Sequence, residues 1–159
     1  YAIKANQGTT NLATFRAIAK KYSHVPPELI LRDLVASTPG TEGKWFAAAK
    51  DAGLFALAAE LANQSPTDPR TLTRAARDFA VDQPQFAIHA ALSALRWIAR
   101  GHGYEITGAD ILDTAHALQQ ASTQAGVDQQ PLSALLAPIL AEAPPRHLLH
   151  QVLSPFVKA

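Results

Sequence analysis

Apolar residues recur at i, i+3, i+4 and i+7 along almost the whole chain, which is the period of an α-helix. No segment shows the strict apolar–polar alternation of a half-buried strand. Proline, glycine, asparagine and serine interrupt the pattern at short intervals and mark the turns. The pattern predicts about nine helices joined by loops of about two to eight residues, short enough to make neighbours antiparallel.

The first helix is expected over residues 11–22, with Leu12, Phe15, Ala19 and Tyr22 as its apolar stripe and Thr9 or Thr10 as its cap. The second starts at Pro26-Pro27, where a missing amide donor does no harm, and buries Ile30, Leu31, Leu34 and Val35. A third, over residues 42–52, is led by Trp45 and Phe46 and stops at Gly53, which can take the left-handed end conformation. The fourth carries Leu54, Leu57, Ala58 and Leu61. Asp68 and Pro69 form a start signal for the fifth, whose stripe is Leu72, Ala75, Ala76 and Phe79.

The sixth helix, over residues 84–100, is apolar nearly all round, and its polar residues fall on one narrow line: Gln85, His89, Ser93, Arg96 and Arg100. Such a helix is packed on several sides. The seventh covers residues 108–125 with Thr107 as candidate cap. In the eighth, Pro138 should cause a bend; Pro155 should break or kink the last. Trp45, Leu61, Phe79 and Leu95 are the expected core anchors.

Two stretches match each other. Residues 48–53 (AAKDAG) read like 75–80 (AARDFA), and residues 55–62 (FALAAELA) read like 86–93 (FAIHAALS), at offsets of 27 and 31 residues. Through residues 44–62 and 72–93 the chain resembles tetratricopeptide-like α-hairpin repeats. The resemblance implies α-solenoid packing and a binding role. Residues 43–53 (GKWFAAAKDAG) are also similar to segments of uncharacterised bacterial proteins. The fold expected is therefore all-α: antiparallel hairpins in a right-handed superhelical stack, or a compact bundle derived from one.

Composition adds bounds. The 159 residues are 48% hydrophobic and 17% charged, enough for a packed core and expected to form a single domain over residues 1–159. With no cysteine, disulfides and cysteine-based zinc sites are excluded, and a reducing, cytoplasmic home is expected. No apolar run approaches the ~20 residues of a membrane-spanning helix, and residues 1–21 lack a signal-peptide pattern. A chain that starts at Tyr1 and has no methionine is expected to be a fragment of a longer one. The net charge is +1, but residues 1–102 hold 12 Lys/Arg against 8 Asp/Glu, and residues 103–159 hold 2 against 5.

Arg70, Arg74 and Arg77 lie at i, i+4 and i+7, opposite the apolar stripe of their helix. Three guanidinium groups on one face can grip carboxylates or phosphates. His89, Arg96 and Arg100 follow the polar line of the sixth helix beside Trp97, itself expected in the core. These six residues are the candidate partner-binding set. His147 and His150, one turn apart, lack a carboxylate at matching spacing for a metal site. Residues 40–44 (GTEGK) fail as a phosphate loop, since the glycine spacing is short and no strand precedes them. Asp110 and Asp113 are read as favourable negative charge in a helix's first turn. No nucleophilic triad can be assembled.

The function expected is a non-catalytic interaction module that binds a protein or acidic peptide and needs no cofactor or metal. The alternatives are association with nucleic acid through the same arginines plus Lys20-Lys21, and a helical lobe of a larger enzyme. Near-neutral charge weighs against nucleic acid.

Overall fold

The computed structural model describes residues 11–126 and 130–158, and among them all regular structure is helical. In chain order the helices are α1 (Asn11–Lys21), α2 (Pro27–Ala36), a 3₁₀ turn (Glu42–Trp45) that runs into α3 (Phe46–Asp51), α4 (Phe55–Gln64), α5 (Pro69–Phe79), α6 (Pro84–Ala99), α7 (Gly108–Ala125), α8 (Leu132–Glu142) and α9 (Leu148–Lys158). Within those residues no helix is long and apolar enough to cross a membrane. The expected cap at Thr9 or Thr10 lies outside the described residues. The helices fall into two compact units, one ending at Pro66 and the other beginning at Thr67.

In the first unit α1 packs on α2 and α3, and α3 and the 3₁₀ turn pack on α4. Phe15, Ile18, Ile30, Leu31, Leu34, Trp45, Phe46, Leu57 and Leu61 are buried. Pro26 occupies the cap of α2 with Pro27 in its first turn, as the proline pair predicted. Gly53 closes the turn after α3 at φ +76°, a conformation that side chains with a Cβ resist. Residues 42–52 do not form one continuous α-helix. The Gly43 amide donates to Ser65 Oγ at 2.7 Å, and Trp45 Nε1–H donates to Thr38 Oγ1 at 2.9 Å. These two tethers accompany the tighter 3₁₀ turn at the start. On the surface Arg16 grips Asp51 through two hydrogen bonds of 3.0 and 2.7 Å, holding the Asp51 carboxyl below the usual range.

In the second unit α6 is central. It packs against α5, α7 and α8, and most of its residues are buried, including Ser93 on the line expected to be polar. Odd-numbered helices also meet side by side, α5 against α7 and α7 against α9, while α8 packs on α6 and α9. The start signals act as predicted. The Asp68 carboxylate accepts from the Arg70 amide, and Thr107 with Asp110 forms a reciprocal capping box on α7. Phe79 is half-buried, edge-to-face with Phe86 at 5.6 Å. Pro138 and Pro155 lie inside α8 and α9, and Pro155 does not end its helix, which runs on to Lys158. Both prolines are exposed, as are Ala134 and Gln151, whose carbonyls each lose an amide partner, so water can serve them.

Candidate functional site

α5 is divided sharply between a buried apolar stripe (Leu72, Ala75, Ala76) and an exposed face carrying Arg70, Arg74 and Arg77. That face borders α7. Arg70 meets Asp110 and Thr73 meets Thr114, so the two helices run in the same direction at an offset of about 40 residues. The antiparallel α6 between them supplies Ile98 to the floor of the groove.

Arg70 closes one end. Its Nε and Nη2 donate to the Asp110 carboxylate at 3.3 and 3.1 Å, while Nη1 and Nη2 donate to the Tyr104 and Glu105 carbonyls at 2.8 and 3.0 Å. One guanidinium thus pins the α6–α7 loop to α5. The Asp110 carboxyl is held below the usual carboxylate range, first by Arg70 and then by the Thr107 amide. The loop can come this close because Gly103 sits at φ +102°, where a Cβ would fall 2.7 Å from Ile106 Cγ1 and 3.1 Å from Pro69. Glu105 also takes a left-handed conformation, φ 46°, and its carbonyl is one of those Arg70 holds.

Beyond this latch lies a pocket of about 160 Å³. Thr73, Thr114, Ile98 and Ile106 line it, with Arg74 and Arg77 on the α5 wall and Asp113 on the α7 wall. The Thr114 Oγ1 lies 2.9 Å from the Asp110 carbonyl and 2.6 Å from Thr73 Oγ1, so the two hydroxyls and that carbonyl form one connected hydrogen-bonded chain. The groove continues past Arg77 and Asp113 to His116 and Gln120, around a second space of about 190 Å³. Among the described residues no ion pair or side-chain hydrogen bond engages Arg74, Arg77 or Asp113. With Arg70 and Asp110 neutralising each other, two cations face one carboxylate.

Of the six candidate residues, the structure brings Arg70, Arg74 and Arg77 to this groove and leaves the other three off its lining. His89 is exposed on α6, and Arg96 is half-buried there. The Arg100 guanidinium lies 5.3 Å from the Trp97 ring centroid and pairs with Glu142 of α8 at 3.1 and 3.2 Å. Trp97 is 5% exposed, a core residue as expected, so its ring is not a stacking platform for a base. Sequence reasoning missed Thr73, Asp113, His116 and Gln120 as groove residues. The signal was there: 113, 116, 117 and 120 repeat on α7 the i, i+3, i+4, i+7 spacing of 70, 73, 74 and 77 on α5.

One ring nitrogen of His147 and one of His150 engage the backbone. His147 Nδ1 accepts from the Leu149 amide at 3.1 Å, and His150 Nε2 lies 3.3 Å from the Ala143 carbonyl. Among the described residues no group of three or more His, Cys, Asp or Glu side chains is placed to hold a metal ion. In the rejected phosphate loop the Gly40 amide is turned to its own Glu42 and the Gly43 amide to Ser65. Compared with known proteins, the chain matches no family model, no curated protein and no solved structure.

Proposed function

We propose that this chain is a non-catalytic, tetratricopeptide-like interaction module of the cytoplasm, and that the groove between α5 and α7 binds an acidic peptide or acidic surface of a partner protein. The observation that carries this reading is the pair Arg74 and Arg77, both exposed, neither engaged by a carboxylate among the described residues, and both lining one groove. Side-by-side packing of α5, α7 and α9 supports the repeat reading, because a stack of hairpins places its first helices in one layer. Arg70 acts in this account as a positioning residue, since its guanidinium is already committed to Asp110 and two carbonyls. A nucleic-acid ligand is the weaker reading, because Arg70 and Arg100 are both neutralised by carboxylates.

Titration of a fluorescein-labelled, Glu-rich peptide at low salt tests the proposal. Arg74→Glu is expected to weaken binding by about tenfold or more, through like-charge repulsion in the groove, and to leave the melting temperature unchanged. Unaltered affinity would remove the arginine face from the account. Preferential binding of single-stranded DNA, lost steeply between low and moderate salt, would replace the peptide with nucleic acid.

A further inference from the structure

We infer that the ligand of the α5–α7 groove is held by one aromatic side chain, internal to an acidic segment and inserted between Arg74 and Asp113. This inference rests on the peptide-binding reading above and adds what the peptide must contain. A groove that recognised charge alone would need only a solvated rim. This one has a recess between its charged walls, floored by Ile98 from α6 and Ile106 from the α6–α7 loop. The recess measures about 160 Å³. A cavity of about 150 Å³ has room for benzene, so this recess, open to solvent on one side and walled by polar groups around Ile98 and Ile106, has room for a single ring.

The polar groups at the bottom leave an apolar guest undisturbed. Thr73 and Thr114 are hydrogen-bonded to each other, and Thr114 also reaches the Asp110 carbonyl, so each hydroxyl already has a partner within the protein. Burying a ring over them leaves neither hydroxyl without a hydrogen bond. At the rim, Arg74 and Arg77 offer flat guanidinium groups that can lie against a ring and at the same time reach a carboxylate beside it. The same unit already contains such a stack, Arg100 over Trp97 at 5.3 Å. Asp113, on the opposite wall, accepts a peptide N–H and repels a second carboxylate, so the acidic neighbour of the ring lies on the α5 side. The Arg70–Asp110 latch closes the groove beyond the recess, which sets the anchor at this end and leaves the following residues to run toward His116 and Gln120.

Two fluorescein-labelled, C-terminally amidated peptides, EEFEE and EEAEE, separate the possibilities by fluorescence anisotropy. EEFEE is expected to bind about tenfold or more tightly than EEAEE, the loss expected when a ring's apolar area stays in water. Thr73→Leu, which fills the recess, should abolish that difference while the residual affinity for EEAEE persists. Equal affinities of the two peptides for the unaltered chain would overturn the anchor and leave the acidic-peptide reading standing. A preference for EEFEE that survives Thr73→Leu would place the ring elsewhere and also overturn it. If neither peptide binds at low salt, both readings fall.

Discussion

Leu95→Ala is expected to lower the stability of the second unit by about 2–5 kcal/mol, the range for emptying a well-packed leucine site. Leu95 is fully buried on α6, the helix that packs on α5, α7 and α8. The small residues buried on α5 and α6 give the cost its upper reach. Ala75 and Ala76 of α5 and Ala90, Ala91 and Ala94 of α6 are also fully buried, and alanines have no rotamers with which to swing into a void. The vacated space therefore stays open, and lost contacts add to the lost transfer energy. Urea unfolding followed by helical circular dichroism measures the change. The midpoint should fall with an unchanged slope. A shift below about 1 kcal/mol would mean that α6 is not the centre of this unit. Leu95 lies one turn before Ile98, so the same substitution should also loosen the floor of the groove.

Trp45→Ala is expected to cost the first unit about 3–5 kcal/mol. The indole is 4% exposed, and its Nε1–H reaches Thr38 Oγ1 at 2.9 Å, so truncation removes both a large apolar body and a bond to the 37–41 turn. Trp45→Phe separates the two contributions. It keeps most of the buried area and loses the hydrogen bond, worth about 1 kcal/mol. Near-equal losses for the two variants would show that the ring contributes little by burial. Thr38 still donates to the Leu34 carbonyl at 3.1 Å when the indole is gone, so the turn keeps its own local bond in both variants.

What the sequence made legible was local. Asp68-Pro69, the Thr107 cap and Gly53 each act through atoms within a few residues, and each appears where the spacing placed it. The burial of Trp97 followed from a helix with almost no polar face. What was hidden depends on partners far along the chain. Arg70 reads as an open cation until Asp110, 40 residues later, takes it; Arg100 does so until Glu142 arrives from α8. Asp110 sits in the first turn of α7 as its sequence position suggests and accepts from the Thr107 amide, but the same carboxylate also holds Arg70. Nothing in a single helix's periodicity tells which of several charges on a face will meet a neighbour. Of the three arginines on α5, geometry leaves Arg74 and Arg77 with no side-chain partner among the described residues and turns Arg70 into the latch. The prolines of α8 and α9 carried a similar ambiguity. Their missing amides do not end these helices, because both lie on exposed faces.

The groove exists only if α5 and α7 lie side by side in the register that pairs Thr73 with Thr114. The chain has no cysteine, so the double variant Thr73→Cys, Thr114→Cys introduces a single reporter pair. The two hydroxyl oxygens are 2.6 Å apart, which puts the replacing sulfurs within reach of a disulfide. Mild oxidation of dilute protein should then give an internal bond: a monomer that has lost two hydrogens by mass and runs faster on a non-reducing gel. Free thiols or disulfide-linked dimers alone would contradict the register, and with it the site on which Arg74, Arg77 and Asp113 converge.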